Sequence, residues 1–422
     1  MPFKRIIVKT EAFLKGIVFD CHACGQCVLQ KTGYICPMSC PKGLRNGPCG
    51  GTVNGMCEVN PRRKCVWVRI HKRTGKDSTE CPKLISSPDH ALYNTSSAVN
   101  WAKGDDKHTT TPIDYVPLGK NRKTQPIRTL SNLEKKLKQG AFVKTCEIRS
   151  PRNANLERLN HEACLVRDHF DAVNATAYLN GKPSLPSPRV AKELVGLGID
   201  PIAQATCRDH TKTSFISELL LNQANKVNNI LCLTGDFYNG KRKIKQVYDM
   251  DSSLMLYEAR YLQEKSEIHF TGEQSKDPPR LFLGTAINPF STPVNVPIRR
   301  LKQKAAAGAD FVQTQLIFDF QAYREFMQRF CDEGLDRDLF MLAGIPVVIS
   351  KPAMKMIPGI PGVVCPDEFI DRLDKATDLR DEGVKVAREM VEIVKEIRGV
   401  NGVHLMLLGS DHSVLPDVVQ GL

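Results

Sequence analysis

The sequence lacks the features that mark a membrane or a secreted protein. Its 422 residues contain no apolar run of about 18 residues or more, so a transmembrane helix is not expected. The N-terminal residues contain no apolar stretch of signal-peptide length before the charges at Lys9 and Glu11. We therefore expect a cytoplasmic protein that does not use a membrane.

Acidic residues are scarce in the first third of the chain. Residues 1–130 contain 21 lysines and arginines against 9 aspartates and glutamates, whereas the remainder contains 38 against 37. This basicity suggests an acidic protein partner, an anionic substrate tail or nucleic acid, with ordinary solvated charge as the alternative. Only 2 tryptophans are present, which argues against base stacking and hence against a nucleic-acid partner.

Cysteine, by contrast, is abundant and unevenly placed. Nine of the 15 cysteines fall between Cys21 and Cys81, and clustered cysteines without a secretion signal favour metal binding over disulfides. Three close cysteines and a remote Cys-Pro are typical of a [4Fe–4S] cluster, and tetrahedral zinc is nearly as compatible. The candidate metal ligands are Cys21, Cys24, Cys27, Cys36, Cys40, Cys49, Cys57 and Cys65.

An alternation of helical and strand patterns begins at residue 129. Short apolar runs, typical of buried parallel strands, occur at 142–147, 172–176, 201–208, 229–236, 280–286, 311–315, 345–350 and 403–408. Eight such units predict an α/β fold, the (β/α)8 TIM barrel, and favour it over a doubly wound open sheet. The predicted organisation is a small N-terminal cysteine-rich metal-binding domain over 1–85, a linker or surface wrap over 86–128, and the barrel over 129–422.

Polar side chains follow the predicted strands at their C-terminal ends, where barrels of this kind carry their chemistry. They are Glu147, Thr176, Gln204, Arg208, Asp209, Asp236, Asn288 and Gln315. Amides together with well-separated carboxylates suit a polar heterocycle that has donors and acceptors along one edge. Spacing alone predicts a binding site of this type and no particular reaction.

These strand ends resemble those of the methylenetetrahydrofolate reductase family, particularly the form found in acetogenic and related anaerobic bacteria. The motifs are Thr145-Cys146-Glu147, Val173-Asn174-Ala175-Thr176, Gln204-Ala205-Thr206-Cys207-Arg208-Asp209, Leu231-Cys232-Leu233-Thr234-Gly235-Asp236 and Ala307-Gly308-Ala309-Asp310-Phe311-Val312-Gln313-Thr314-Gln315. The front segment resembles the small cysteine-rich partner subunit of that reductase, here fused to it.

The resemblance implies a flavoenzyme that interconverts 5,10-methylene- and 5-methyltetrahydrofolate by passing a hydride between flavin N5 and the one-carbon unit. Glu147 would be the general acid that protonates the departing folate nitrogen. Asp236 would bind the amino-pyrimidine edge of the pterin and tune the flavin, and Gln315 and Asn288 would contact the folate. Flavin contacts would come from Thr176, Gln204, Thr234, Gly235, Asp251, Ser253 and Lys304.

Three positions depart from the enterobacterial pattern of the family. Gln204 stands where that branch has histidine, Thr234 where it has arginine, and Asn288 where it has tyrosine. These departures leave FMN and FAD both open. An iron–sulfur front domain would pass electrons from an acidic, ferredoxin-like carrier, whereas a zinc domain would be a structural or assembly module. A pterin-dependent methyltransferase acting on a corrinoid protein is the alternative enzyme, and a homo-oligomer is compatible with the sequence.

Overall fold

The computed structural model describes residues 2–74, 81–96, 112–238, 240, 244–293 and 295–422. The strands are β1 Leu84–Ile85, β2 Pro112–Ile113, β3 Val143–Ile148, β4 Ala172–Ala175, β5 Pro201–Thr206, β6 Asn229–Leu233, β7 Glu267–Ile268, β8 Glu273–Gln274, β9 Phe282–Ile287, β10 Phe311–Leu316, β11 Phe340–Val348 and β12 Val400–Leu408. The α-helices are α1 Pro2–Phe19, α2 Val66–Thr74, α3 Asn132–Lys138, α4 Glu157–Val166, α5 Ser187–Gly196, α6 Lys212–Ala224, α7 Ser252–Lys265, α8 Asn295–Ala306, α9 Phe320–Asp332, α10 Lys351–Met356, α11 Asp367–Asp374, α12 Leu379–Lys395 and α13 Leu415–Val419.

Eight parallel strands form a closed barrel. Their order around the barrel is β3-β4-β5-β6-β9-β10-β11-β12, and β12 pairs again with β3. Neighbours in the barrel are also neighbours along the chain, with helices between them, so the (β/α)8 fold predicted from the sequence is confirmed. No helix in the described ranges is long and apolar enough to cross a membrane.

Some boundaries differ from those predicted. β11 begins at Phe340, because residues 340–344 are buried too and pair with β10. β6 ends at Leu233, which places residues 234–236 in the following loop, where Gly235 adopts φ +80°, a conformation that glycine reaches without steric cost. The helical pattern over 366–398 is two helices, and Asp378 accepts backbone hydrogen bonds at the start of the second.

Aromatic rings close the N-terminal end of the barrel. The rings of Phe282 and Phe311 stack with centroids 5.1 Å apart, and Phe340 packs beside them. A β carbon at Gly284 would lie 2.2 Å from the Phe311 ring, so this close packing needs glycine. The rings fill the barrel interior at the N-terminal ends of β9, β10 and β11.

A buried carboxylate joins elements at this closed end. Asp310 accepts hydrogen bonds from Arg128 at 2.8 Å, from Arg260 at 2.6 Å and from the backbone N–H of Leu283 at 2.9 Å. Although burial opposes ionisation, these arginines and Arg122 lower the pKa of Asp310. The ion cluster therefore ties the segment before α3 to α7 and β9.

The cysteine-rich front has a small apolar core of its own. Residues 65–70 at the start of α2 pack against Ile35, and the indole N–H of Trp67 donates to the Leu44 carbonyl at 3.1 Å. β1 pairs antiparallel with β2, which brings the predicted linker back beside the front segment. Residues 97–111 of that predicted linker lie outside the described residues.

The front segment rests on the barrel mouth. The Asn46 amide donates to Asp251 at 2.6 Å, and its backbone carbonyl accepts from Arg300 at 2.6 Å. The Asn288 amide donates to the Gly50 carbonyl at 2.9 Å. Residues 42–58 thus cover part of the opening formed by the strand C-terminal ends.

Candidate active site

A cavity of about 250 Å³ lies at the C-terminal ends of the barrel strands, beneath residues 42–58. Its walls combine charged groups and amides with apolar side chains such as Leu231, Leu233 and Ile287. The predicted site residues that line it are Glu147, Gln204, Thr234, Gly235, Asp236, Asn288, Lys304 and Gln315. These residues come from β3, β5, β10, α8 and the loops after β6 and β9, and the closed barrel brings them together.

Glu147 is the fifth residue of β3 and lines the cavity. Among the described residues, none donates a hydrogen bond to its carboxylate. Burial raises the pKa of Glu147, and the nearby Arg149 and His412 only partly offset this effect. A carboxyl group in this environment retains its proton closer to neutral pH and can act as an acid.

Asp236 lies on the loop after β6, with its side chain open to the cavity. Desolvation by the surrounding protein and the nearby Glu58 carboxylate raise the pKa of Asp236, while Lys42 and Arg208 oppose the shift. Arg208 donates to the Asp236 backbone carbonyl at 3.0 Å, which holds the loop. No described residue pairs with the carboxylate, so it is available to a ligand that carries N–H donors.

Two cations stand together on α8 at the cavity wall. Lys304 donates to the Ala286 carbonyl at 2.6 Å and Arg300 to the Asn46 carbonyl, yet both line the cavity. Burial and the Arg300 charge lower the pKa of Lys304 to about 7. An anionic group bound here would offset the repulsion between the Lys304 ammonium and the Arg300 guanidinium. Arg300 was missed in the sequence, although its position one helical turn before Lys304 was a usable signal.

The amide side chains at the cavity are already engaged with the protein. Gln204 accepts from the Ala177 N–H at 3.1 Å. Gln315 donates to the Pro361 carbonyl at 3.0 Å, and Asn288 donates to the Gly50 and Gly362 carbonyls. Asn288 therefore joins the front segment to the barrel, a role that the sequence did not predict.

Three predicted flavin contacts do not line the cavity. Thr176 is fully buried and accepts from the Ser150 N–H at 3.0 Å. Asp251 precedes α7 as its N-cap residue and accepts from the Ser253 N–H at 2.9 Å and from the Asn46 amide at 2.6 Å. Ser253 lies within 3.4 Å of the Gln303 side chain. These side chains support the walls of the site from behind.

The front segment supplies two charged residues that the sequence did not single out. Lys42 forms an ion pair with Glu58, and its ammonium also donates to the Gly235 carbonyl at 2.8 Å. Both side chains line the cavity and are almost fully buried, with exposed fractions of 2% and 7%. No local pattern marks them, because their role depends on contact with a loop nearly two hundred residues away.

A second, smaller cavity lies within the front segment. It measures about 30 Å³ and is lined by Cys21, Cys24, Cys27 and Cys36 together with one face of α1. A hydrogen bond from the Cys36 thiol lowers the pKa of Cys21 to about 6. Four of the eight predicted ligands, the C-x2-C-x2-C set and the first Cys-Pro, therefore surround one space.

The remaining four cysteines lie elsewhere in the front. Burial and the neighbouring Cys65 and Cys57 raise the pKa of Cys40 to about 11, and Cys49 contacts Glu58 at 3.4 Å beside the larger cavity. All fifteen cysteines of the chain are free thiols. In the described ranges, no three His, Cys, Asp or Glu side chains are already arranged as a metal site.

A closed (β/α)8 barrel with titratable groups in a cavity at its strand C-terminal ends has the architecture of a barrel enzyme. Residues 132–420 match the family described as methylenetetrahydrofolate reductase, and residues 3–89 match the one described as methylene-tetrahydrofolate reductase C terminal. The chain belongs to the methylenetetrahydrofolate reductase family.

Individual relatives are distant. A probable methylenetetrahydrofolate reductase (NADPH) of Caenorhabditis elegans is 24% identical over 181 residues, which cover 42% of this chain and 25% of that protein. Among solved structures, one similar chain is an uncharacterized protein from Clostridium thermocellum that binds two copies of 5-methyl-5,6,7,8-tetrahydrofolic acid. It is 16% identical, the TM-score is 0.49, and the match covers 68% of this chain and 96% of that chain. DmoA from Hyphomicrobium sulfonivorans is 12% identical with a TM-score of 0.40, and the match covers 66% of this chain and 86% of that chain.

Proposed function

We propose that this chain interconverts 5,10-methylenetetrahydrofolate and 5-methyltetrahydrofolate with the help of a bound flavin. The observation that carries the proposal is the Glu147 carboxyl, which faces the cavity without a protein partner in the described part of the chain and whose pKa is raised by burial. The family that matches residues 132–420 supports this reaction class.

The residues at the cavity fit a flavin. Arg300 and Lys304 provide two buried positive charges for a phosphate, and Leu231, Leu233 and Ile287 provide apolar surface for a ring system. Burial and the Arg300 charge lower the pKa of Lys304 to about 7, and a bound phosphate would favour its protonated form. A bound flavin would supply the hydride; the fit does not distinguish FMN from FAD.

Glu147 acts on the folate. Its protonated carboxyl donates a proton to the nitrogen that leaves the methylene carbon, which opens the five-membered ring and makes that carbon electrophilic. Burial raises the pKa of Glu147, which favours the protonated carboxyl that this step requires. In the reverse direction the carboxylate takes this proton back.

Asp236 positions the pterin. Its carboxylate accepts hydrogen bonds from the amino-pyrimidine edge, and the anchoring of its loop by Arg208 and Lys42 fixes where that edge binds. Gln315 contributes its second amide N–H and one oxygen lone pair, because its first N–H donates to the Pro361 carbonyl and its oxygen accepts from the Leu316 N–H.

Glu147→Gln tests the assignment, with Glu193→Gln as the matched control because Glu193 lies on α5 and pairs with Arg189 away from the cavity. Turnover is measured anaerobically with a reduced viologen dye, and flavin content by absorption. We expect Glu147→Gln to retain flavin but lose turnover by about two to four orders of magnitude, as for a missing general acid. Turnover equal to that of Glu193→Gln would remove Glu147 from this role.

We further propose that Cys21, Cys24, Cys27 and Cys36 hold a metal centre that delivers electrons to the flavin. Their common cavity and their spacing support a [4Fe–4S] cluster, and four thiolates also suit zinc. Iron, sulfide and zinc analysis of anaerobically purified protein distinguishes the two. Stoichiometric zinc without iron would make the front a structural module and end the electron-transfer proposal.

A further inference from the structure

Helix α1 carries an unusual stripe of exposed apolar side chains. Ile6, Phe13, Leu14, Ile17 and Val18 follow helical spacing and are each 55–69% exposed. A soluble surface seldom places five large apolar groups on one helix face, and such a patch usually marks an interaction site. Phe19 at the end of α1 packs against Tyr34, which is also exposed and extends the apolar surface.

The opposite face of α1 lines the four-cysteine cavity. Val8, Glu11, Ala12 and Lys15 contact this cavity, and they recur at intervals of three and four residues. One helix therefore separates the exposed apolar stripe from the four cysteines. Cys27 is itself exposed, so the cavity also reaches the molecular surface.

The front segment that carries the stripe is strongly positive. Residues 1–74 contain 13 lysines and arginines against 3 acidic residues. Lys9 is exposed on α1, and Lys31, Arg62 and Lys64 are exposed on the front segment. The Asp20–Arg63 ion pair links the end of α1 to the segment that carries Arg62 and Lys64. An apolar centre with a basic surround complements a partner of the opposite charge.

We propose that the outer face of α1, with Tyr34 and the surrounding basic residues, docks a small acidic one-electron carrier protein. This inference rests on the proposed electron-transfer role of the four-cysteine centre. Each docking event would pass one electron from the carrier to the centre that the four cysteines would hold. Two events supply the two electrons that, with two protons, convert the methylene group to methyl and protonate the released nitrogen.

A charge-reversal pair at one exposed position tests the docking surface. Ile17→Glu and Ile17→Lys remove the same apolar group, but only glutamate repels an acidic partner. Leu220→Glu, at an exposed position on α6, controls for the added charge itself. The full-length protein is assayed with a reduced acidic ferredoxin and, separately, with a reduced viologen dye, which needs no docking site.

We expect Ile17→Glu to lower kcat/KM with ferredoxin by about tenfold or more at low salt, because steering and apolar contact are both lost. Ile17→Lys should lower kcat/KM with ferredoxin less, and Leu220→Glu should leave it unchanged. All three variants should keep the native rate with the viologen dye. Ferredoxin rates that are equal in Ile17→Glu and Leu220→Glu would overturn the proposal.

Further measurements separate the other outcomes. Calorimetry with oxidised ferredoxin measures binding without turnover. If the native protein shows no turnover with the viologen dye, the proposed function is refuted, but the docking surface can still be tested by this binding measurement. Sedimentation with anionic vesicles that depends on Ile17, with unchanged ferredoxin binding, would assign the stripe to a lipid surface. A dimer abolished by Ile17→Glu, again with unchanged ferredoxin binding, would assign it to a second copy of the chain.

Discussion

Removal of the Lys42 charge should strongly destabilise residues 42–58, which cover the cavity. Lys42→Met leaves the Glu58 carboxylate buried without its ion pair and removes the shorter of two hydrogen bonds to the Gly235 carbonyl, which keeps only the Tyr248 hydroxyl at 3.4 Å. Although burial alone would lower the pKa of Lys42, its ion pair with the Glu58 carboxylate helps to raise it overall, so the ammonium is retained in the native state. Breaking one side of such a buried pair costs about 3–5 kcal/mol.

The double variant makes this expectation specific. Lys42→Met with Glu58→Gln removes both charges, so we expect it to recover about 1–3 kcal/mol of the free energy of unfolding lost in Lys42→Met alone. Urea unfolding followed by tryptophan fluorescence suits the measurement. Both tryptophans of the chain, Trp67 and Trp101, belong to the first 128 residues, and Trp67 packs beside the segment that carries Lys42.

Lys83→Met is the matched control for this experiment. Lys83 pairs with Asp114 on the surface, where the side chains are 64% and 86% exposed, and an exposed pair contributes at most about 1 kcal/mol. The reasoning fails if Lys42→Met costs no more than Lys83→Met. It fails also if the effects of Lys42→Met and Glu58→Gln simply add, because independent effects would mean that the two charges do not stabilise each other.

Three further predictions concern other buried groups. Asp310→Asn should lower the free energy of unfolding by about 3–5 kcal/mol at pH 7, since it removes the buried counter-charge of Arg260 and leaves that arginine only the more exposed Glu264. Because the native pKa of Asp310 is depressed, the difference in urea denaturation should shrink as pH falls below about 4. At pH 7–8, Glu147→Gln should have a higher free energy of unfolding than the native chain, because the native chain loses stability as the pH rises through the raised pKa of Glu147. Below about pH 4 the carboxyl is protonated in both the folded and the unfolded state, so the two free energies of unfolding should converge. Equal free energies at pH 7 would contradict the raised pKa. Cys24→Ser should remove bound metal from the front segment, as measured by elemental analysis. The control Cys164→Ser, at an exposed position on α4, should leave the metal content unchanged. Equal metal content in the two variants would contradict the four-cysteine site.

The barrel was predictable because its signal is local. A strand buried on both faces must be apolar along its length, so each barrel strand appears in the sequence as a short apolar run. The polar groups that end these runs, such as Glu147 and Asp236, then meet at one end of a closed parallel barrel. Strand boundaries carry a weaker local signal: β11 begins at Phe340, before the apolar run 345–350, because residues 340–344 pair with β10.

Side-chain direction was not predictable from the same signal. Thr176, Asp251 and Ser253 follow strands or begin a helix near the site, but they bond to backbone and to neighbouring side chains behind the cavity wall. Lys304 does line the cavity, because the turn of α8 that carries it faces the strand ends. A residue's place in the chain determines its element, whereas packing decides which way its side chain points.

The sequence by itself determined the barrel, the groups at its strand ends and the concentration of cysteine and positive charge in the front. Only the tertiary structure decided that the front covers the barrel mouth, that Lys42 and Glu58 enter the cavity, and that α1 has the four cysteines on one side and solvent on the other. Apolar periodicity and residue spacing are written into short stretches of chain. Contacts such as Lys42 with Gly235 join distant stretches, and they exist only once both have folded.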